Sequence, residues 1–264
     1  MHPTLFHLGS FPVGTYGVLL ALALGVSLWW LRRLARAQGM DPEPVTDLVM
    51  GALLCAVLGA KLLLIATDWH NFIAGPGAWL RENLRAFGVF YGGFIAAALY
   101  LFFAVRRRGL SFLAIADVMA PPLVLAQAIG RWGCFFAGCC HGQVTHVPWA
   151  VTFRDPDSLV EPSLLYLPLH PVQLYESFGN FVIAALLAWG LRRKLKPGLV
   201  FTGWLLFYGA TRFVWEYFRG DGVRGLYFGG RLSTSQLIAA GLVALGAGLA
   251  VWIMRKKDAE KSAS

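Results

Sequence analysis

The sequence predicts an all-α integral membrane protein with seven transmembrane helices. Of its 264 residues, 57% are hydrophobic and only 14% are charged, whereas a soluble globular domain carries about 25% charged residues. Apolar runs recur along the whole chain, and a helix that spans a bilayer needs about 20 such residues. Seven such runs leave no room for a separate large soluble domain. We therefore expect a single polytopic membrane domain over residues 1–264.

The seven spans differ in how cleanly apolar they are. The fourth and fifth are interrupted by polar residues, which within a span usually face a protein interior or a wet cavity. These two helices are therefore expected to line a functional site. The predicted spans are residues 14–31, 45–67, 87–105, 111–135, 171–191, 197–218 and 232–254. The interrupting residues are Asp117, Gln127, Arg131, Gln173 and Glu176.

The net charge of +9 comes from short basic runs beside apolar segments, a pattern that sets membrane topology. It does not indicate a nucleic-acid partner. Of the 23 lysines and arginines, fourteen fall in loops on one side and six on the other. Because cytoplasmic loops are richer in these residues, the N-terminus is predicted outside and the C-terminus in the cytoplasm. The first apolar run is long enough to remain as a helix, so no cleavable signal peptide is expected.

Three outer segments connect these spans. Residues 136–170 are predicted to form a small extracytoplasmic head, with strands around Trp149–Phe153 and near Leu164–Leu167. A connection of that length is more often functional than idle. Residues 68–86 suit an interfacial element, and residues 219–231 a flexible turn.

The stretch from Gly130 to Gly142 carries the strongest functional signal. It places Arg131 in or at the end of an apolar helix, where an arginine costs at least a few kcal/mol and by default marks a functional site. The surrounding glycines let the backbone bend and approach a ligand closely. This pattern predicts a cationic pocket at one face of the membrane, shaped for an anionic group.

Three cysteines in this stretch, Cys134, Cys139 and Cys140, admit three interpretations. A disulfide could join Cys134 to one of the other two, because the outer side of a bacterial membrane is oxidising. The cysteines could instead be small packing residues, or they could form a metal or nucleophilic site with His141. Their spacing does not match the usual paired Cys-x-x-Cys zinc motif, and no metal or cofactor is expected. Cys55 lies mid-helix and is predicted to pack as a small apolar residue.

A second motif runs from His170 to Glu176. Pro171 suits the first turn of a helix, which puts His170 at the membrane surface. Gln173 and Glu176 then step inward on nearly one face. The alternative is a helix cap with a polar inner face and no further role.

A third motif places Tyr208, Arg212, Glu216 and Arg219 at helical spacing, so that they share one face. Arg212 and Glu216 can pair one turn apart, and a purely structural ion pair is the alternative interpretation. With Arg131, however, the chain has two arginines that can chelate a phosphate by bidentate hydrogen bonds.

Two weaker signals lie at outer helix ends. For Tyr16 the alternative interpretation is an interfacial anchor, and the pair Gly92-Gly93 after Tyr91 is typical of close helix approach.

In this order and spacing, the motifs resemble the prolipoprotein diacylglyceryl transferase family from about Leu8 to Ala250. Asp117 and Ser233-x-x-Gln236 also fall where that family has such residues. The family moves the diacylglyceryl group of phosphatidylglycerol onto a cysteine thiol in the signal peptide region of a prolipoprotein, and glycerol phosphate leaves. The resemblance implies a multi-pass transferase of the bacterial cytoplasmic (inner) membrane, with its active site toward the outer leaflet.

The resemblance also implies roles for individual residues. Arg131 and Arg212 hold the phosphate and stabilise the charge of the leaving group, Glu216 orients Arg212, and Tyr208 lines the headgroup site. Catalytic residues are expected to be Arg131, Arg212, Glu216 and Tyr208. Substrate-binding residues are expected to be Tyr16, Tyr91, Gly92, Gly93, Cys134, Cys139, Gly142, His170, Gln173, Glu176 and Arg219.

Three positions depart from the family pattern. Tyr91 replaces a histidine, Cys134 an asparagine and Cys139 an acidic residue, so the usual base candidate is missing. His141 or Tyr91 could accept the proton instead. Two alternatives follow: a paralogue of the same fold that acts on a different lipid or acceptor, or a lipid-binding or transport protein without catalysis. A transporter is expected to show repeated halves and midplane sites, whereas the polar residues here gather near the outer ends.

Overall fold

The computed structural model describes residues 3–9, 11–83, 88–220, 225–227 and 232–262. These residues form nine α-helices and three two-stranded antiparallel sheets, β1–β2, β3–β4 and β5–β6. The helices are α1 (Thr15–Ala37), α2 (Pro42–Thr67), α3 (Trp69–Ala74), α4 (Pro76–Asn83), α5 (Phe90–Arg107), α6 (Phe112–Ala137), α7 (Val172–Arg192), α8 (Leu199–Trp215) and α9 (Thr234–Ser262). The strands are β1 (Thr4–Leu8), β2 (Phe11–Gly14), β3 (Val151–Thr152), β4 (Pro168–Leu169), β5 (Leu226–Tyr227) and β6 (Leu232–Ser233).

Five of these helices are long and apolar enough to cross a membrane: α1, α2, α6, α7 and the Thr234–Arg255 part of α9. The predicted all-α membrane class is therefore confirmed. The third and sixth predicted spans are helical as α5 and α8, but they contain 18 and 17 residues. At 1.5 Å per residue these helices are about 26–27 Å long, slightly less than the ~30 Å of a bilayer's hydrocarbon core. The seven-span count and the orientation stay predictions.

The side chains are distributed as in a multi-pass membrane protein. Large apolar side chains such as Leu54, Leu62 and Phe178 are highly exposed on the helices, where a lipid environment would cover them. Three polar residues of the predicted spans are instead buried: Asp117 and Glu176 are 5% exposed, and Gln173 is 1% exposed. The expectation that these polar side chains face the protein interior is thus confirmed.

The chain divides into two compact units, Met1–Leu34 with Ala116–Ser264, and Ala35–Ile115. In the second unit α2 and α5 pack as an antiparallel pair whose contact is made by small residues. A Cβ on Gly92 would lie 2.3 Å from the Gly59 carbonyl oxygen, and one on Gly93 would lie 2.7 Å from the Ala56 carbonyl oxygen. Only glycine allows the two backbones to approach this closely. The interfacial element predicted at 68–86 forms α3 and α4; residues 84–87 lie outside the described residues.

The first unit contains the other spans and the head. Helix α8 packs on both α7 and α9. Asp117 of α6 accepts hydrogen bonds from the backbone N–H groups of Gly198 (2.6 Å) and Phe201 (2.7 Å) at the start of α8. These bonds satisfy donors that the first turn of a helix leaves without an intrahelical partner.

The head is built around a small apolar cluster of Phe153, Val160 and Leu169. Its first predicted strand is present as β3, which pairs with β4. The second was predicted in the wrong place: residues Pro162–Leu164 form a 3-10 turn, and the strand begins at Pro168. The reason lies in the backbone, because Tyr166 has a φ of 66° and interrupts any extended run there. The flexible turn predicted at 219–231 falls partly outside the described residues, and its described part contains β5.

Candidate active site

Glu176 lies at the centre of the site and contacts three arginines from three different segments. Its Oε2 atom pairs with Nε of Arg131 on α6. Its Oε1 atom lies 3.0 Å from Nη1 of Arg212 on α8 and 3.5 Å from Nη1 of Arg219. The side chains of Glu176 and Arg219 are each 5% exposed. One buried carboxylate therefore fixes the positions of all three guanidinium groups.

Arg212 has a second carboxylate partner. Its Nη2 atom lies 3.1 Å from Oε2 of Glu216, one turn along the chain, as predicted. It also donates a hydrogen bond to Oγ of Ser235 (3.2 Å), while Ser233 donates to Oε1 of Glu216 (2.7 Å). Among the residues that the structure describes, three arginines and two glutamates form this cluster, which we call the arginine cluster, and together they carry a formal charge of +1. Such a cluster can accept one singly charged anion.

The prediction that Arg219 continues the helical face of Arg212 and Glu216 was wrong in one respect. Helix α8 ends at Trp215, Glu216–Phe218 form a 3-10 turn, and Arg219 has an extended backbone. This change of backbone geometry turns the chain at the end of the helix, and Arg219 still reaches Glu176.

Main-chain hydrogen bonds hold the three sequence motifs together. The N–H of Gly142 donates to the carbonyl of His170 (3.0 Å), and the N–H of Gln143 donates to the carbonyl of Phe218 (3.0 Å). The N–H of Gly220 donates to the carbonyl of His141 (3.1 Å). A Cβ on Gly142 would lie 2.5 Å from the His170 carbonyl oxygen. Gly142, which was predicted as a substrate-binding residue, is thus required because the backbone at His170 lies too close for a side chain at this position.

Two tyrosines predicted in the site occupy defined positions beside the arginines. Tyr16, in the first turn of α1, packs on Gly133 of α6, where a Cβ would lie 2.9 Å from the Tyr16 ring. Tyr208 lies one turn before Arg212 on α8 and stacks on Trp204, with 6.0 Å between the ring centroids. Both tyrosines belong to the same compact unit as the arginine cluster.

His170 and Gln173 support the frame of the site. Nδ1 of His170 lies 3.2 Å from the hydroxyl of Tyr175, and its ring meets the ring of Phe218 edge-on. Nε2 of Gln173 donates to the carbonyl of Cys139 (2.8 Å), whereas its buried Oε1 has no hydrogen-bond partner within the described part of the chain. The second motif therefore contacts the cysteine segment as well as the arginines.

Cys134, Cys139 and Cys140 come together in space, and their Sγ atoms all lie within 4.8 Å of one another. We call them the cysteine trio. The chain turns back toward α6 through left-handed backbone conformations at Gly138 (φ 82°) and Cys140 (φ 58°). All four cysteines, including Cys55, are free thiols and partly exposed, so the disulfide interpretation is not supported.

Charge and hydrogen bonding distinguish the thiols of the trio. Hydrogen bonds from Cys134 and Cys139, followed by the positive charges of Arg219 and Arg131, lower the pKa of the Cys140 thiol. Hydrogen bonding to Cys134 and Cys140 raises the pKa of the Cys139 thiol. Cys140 is therefore the most acidic thiol of the trio.

Tyr91, Gly92 and Gly93 lie in the other compact unit. Tyr91 is about half exposed, and the two glycines make the contact between α5 and α2 described above. For these glycines the helix-packing alternative is confirmed. Their predicted part in substrate binding stays a prediction.

Sequence reasoning missed the role of Ser235, which contacts Arg212, and the way in which Glu176 joins three arginines. No signal in the sequence singles out Ser235, since serine is common at the first turn of a helix. The position of Glu176 one turn after Gln173 did indicate an inward-facing carboxylate.

The chain is similar to known proteins over nearly its whole length. The family model for prolipoprotein diacylglyceryl transferase matches residues 3–252. A protein of Clostridium tetani named phosphatidylglycerol–prolipoprotein diacylglyceryl transferase is 33% identical over 249 residues, with 93% of this chain and 95% of the relative covered. Relatives of the same name in Geobacillus kaustophilus and Symbiobacterium thermophilum are 32% and 34% identical, over 95% and 96% of this chain and 91% and 93% of their own. The chain belongs to the prolipoprotein diacylglyceryl transferase family.

Proposed function

We propose that this chain transfers the diacylglyceryl group of phosphatidylglycerol to the lipobox cysteine thiol of prolipoproteins, forming a thioether and releasing glycerol phosphate. The family match and the names of the relatives support the reaction class. The observation that carries the proposal for this chain is the arginine cluster, because its net charge of +1 matches the single negative charge of a phosphodiester.

The reaction moves negative charge toward that cluster. The sulfur of the acceptor attacks the glyceryl carbon, the C–O bond to phosphate breaks, and the electron pair stays on the departing phosphate oxygen. The phosphate changes from a diester with one negative charge toward a monoester with two. Arg131 and Arg212 stabilise this growing charge, since preorganised donors act most strongly where charge develops.

The remaining residues position these groups. Glu216 and Glu176 hold Arg212 between two carboxylates, which leaves its guanidinium little freedom to rotate. Arg219 contributes a third positive charge, and Tyr16 and Tyr208 border the headgroup. The wall that adjoins the arginine cluster is formed by Gln173, His170, Gly142, Cys134 and Cys139. Tyr91, Gly92 and Gly93 stay predicted substrate-binding residues.

The proposed setting is the bacterial cytoplasmic (inner) membrane, with seven spans, the N-terminus outside and the C-terminus in the cytoplasm. The active site then opens toward the outer leaflet, where phosphatidylglycerol and the signal peptide of a prolipoprotein can both reach it. The lysine and arginine distribution supports this orientation. The head at residues 136–170 would lie on the outer side, above the arginine cluster.

A second candidate is a paralogue of the same fold that uses a different lipid or acceptor. The departures at Tyr91, Cys134 and Cys139 favour it, because they remove the family's base candidate. A non-catalytic lipid-binding or transport protein is a third candidate, and it predicts binding of phosphatidylglycerol without turnover.

The test is lipid transfer in proteoliposomes that contain phosphatidylglycerol and a lipobox peptide, read out as the peptide mass. A diacylglyceryl mass gain on the cysteine peptide, and none on the matched serine peptide, supports the proposal. Arg212→Ala is expected to lower the turnover about 10²–10³-fold, as removal of one oxyanion donor does. Arg193→Ala is the matched control, because Arg193 stacks on Trp189 away from the cluster.

Each alternative has its own outcome. No mass gain from a folded protein, with a working relative assayed in parallel, would reject the transferase proposal. Gain on the peptide with another lipid in place of phosphatidylglycerol would favour the paralogue. Full activity of Arg212→Ala would overturn the assigned mechanism.

A further inference from the structure

The cysteine trio has no assigned chemical role in the mechanism above, yet it borders the arginine cluster. Arg131 interacts electrostatically with Cys134 and Cys140, and Arg219 interacts with Cys140. All three thiols are partly exposed. A cluster of three soft, partly exposed ligands therefore lies beside the arginines that are proposed to bind the phosphate.

The geometry of the trio suits a thiophilic metal ion better than a disulfide. Zinc binds thiolate at about 2.3 Å with tetrahedral geometry, which separates the sulfur atoms by about 3.8 Å. Sulfur atoms that already lie within 4.8 Å of one another need to move by no more than about 1 Å to reach this arrangement. A disulfide requires a sulfur separation of about 2.05 Å and would use only two of the three thiols.

The backbone is held in an unusual conformation that produces this arrangement. Cys140 adopts a left-handed φ of 58°, which is uncommon for a residue other than glycine. Such conformations persist where the surrounding structure holds them and concentrate at functional sites. Here Gly142, two residues later, is fixed by its hydrogen bond to His170.

The charge balance also fits. Three thiolates and one Zn²⁺ ion carry a net charge of −1. Arg131 and Arg219 interact electrostatically with the trio and offset part of this charge, while they also pair with Glu176.

We propose that Cys134, Cys139 and Cys140 bind one zinc ion and that the fourth position of this ion takes the acceptor thiol. This inference rests on the proposed function, since the acceptor is the lipobox cysteine named there. Three protein ligands and one open position are the arrangement of catalytic zinc sites. A thiol that coordinates zinc is deprotonated outright.

The step balances without an oxidant. The acceptor thiol binds zinc and releases its proton to solvent, and its sulfur lone pair then forms the bond to the glyceryl carbon. The carbon–oxygen bond to phosphate breaks, and the leaving phosphate oxygen keeps the electron pair beside Arg131 and Arg212. The neutral thioether is a weaker zinc ligand than a thiolate and can leave the ion. The metal thus replaces the missing histidine as the means of activating the acceptor.

The first test is metal content. Full-length protein, purified in detergent with a thiol reductant and stripped with a chelator, is dialysed against Zn²⁺ and analysed by mass spectrometry of the metal. We expect one zinc per chain in the unsubstituted protein and in the matched control Cys55→Ser. Cys139→Ser and Cys134→Ser are expected to lose at least ten-fold in zinc affinity. Unchanged zinc affinity in both variants would overturn the inference. So would the absence of bound zinc from protein in which Cys134, Cys139 and Cys140 all titrate as free thiols.

The second test asks what occupies the fourth position. Co²⁺ replaces zinc, and the thiolate-to-cobalt charge-transfer absorption is recorded while lipobox peptide is added. We expect a further increase with the cysteine peptide and none with the serine peptide. A spectrum that does not respond to the cysteine peptide under conditions in which the peptide is converted would overturn the proposed activation.

The third test separates this inference from the proposed function. A free thiol with a pKa near 8.5 is only about 3% thiolate at pH 7, so removing zinc is expected to lower transfer roughly 30-fold. Transfer by the stripped enzyme should then rise with pH, while that of the zinc-loaded enzyme stays nearly flat. Equal transfer with and without zinc would reject the inference and keep the function. Zinc binding without any transfer would reject the function and leave the metal site standing.

Discussion

Replacing Glu176 by glutamine tests whether one carboxylate holds the three arginines. The substitution keeps the shape of the side chain but removes its negative charge, so the formal charge of the cluster rises from +1 to +2. Glu176 and Arg219 are each 5% exposed, so water cannot take over the lost interaction. Removing one partner of a buried ion pair costs about 3–5 kcal/mol, because the other charge stays buried without compensation.

The size of the effect can be measured as a melting temperature. For a chain of this size 1 kcal/mol corresponds to about 2–4 °C, so Glu176→Gln is expected to lower the melting temperature by roughly 6 °C or more. Intrinsic tryptophan fluorescence in detergent, checked by recovery on size exclusion, provides the assay. Glu216→Gln is the comparison, and a smaller loss is expected because the glutamine oxygen can still accept the hydrogen bond that Ser233 donates to Glu216.

A second substitution separates charge from packing. Arg219→Gln should destabilise the unsubstituted protein but partly restore stability in the Glu176→Gln background, because the double variant returns the cluster to a charge of +1. If Arg219→Gln lowers the melting temperature equally in both backgrounds, the charge argument is wrong.

Two further predictions concern packing and helix ends. Gly133→Ala places a Cβ 2.9 Å from the Tyr16 ring, so we expect a loss of about 1–3 kcal/mol and a reduced rate of transfer. Gly130→Ala, whose Cβ would meet no described atom within 4 Å, should instead leave stability unchanged or raise it, and equal melting temperatures for the two variants would contradict the packing assignment. Asp117→Asn removes the charge that accepts two backbone N–H groups of α8 and should cost about 1–3 kcal/mol. The exposed Asp157→Asn serves as its control in the same thermal assay, and a loss of stability that the control matches would refute the capping role.

The helices of this protein could be predicted because each depends on local composition. Runs of about 20 apolar residues are visible in the sequence, and each predicted span contains a long helix within its described residues. Their ends were less predictable. Helix α1 continues to Ala37, beyond the predicted end at residue 31, because arginines near a membrane surface continue a helix as readily as leucine does. The second head strand was misplaced because backbone conformation at Tyr166, rather than side-chain type, decided where extension began.

The site was predictable to the extent that it is local. The pair Arg212–Glu216 follows from their spacing of four residues. Arg212 and Arg219 lie 36 and 43 positions after Glu176, and both contact its carboxylate. No periodicity in the sequence predicts contacts between residues so far apart along the chain. The arrangement of the cysteine trio could be predicted only in part. Its members are close in sequence, but their convergence depends on two left-handed residues after α6.

The main-chain hydrogen bonds of Gly142 and Gly220 affect how the sequence of such an enzyme can diverge. The amides and carbonyls of His141, Gln143 and His170 join the three motifs, and these groups are the same whichever side chain the residue carries. Substitutions along this segment therefore change the side chains that border the site without breaking the main-chain hydrogen bonds that position the arginines. A lineage could exchange an asparagine and an acidic residue for Cys134 and Cys139 in steps, each leaving a folded enzyme, provided that both glycines were inherited unchanged.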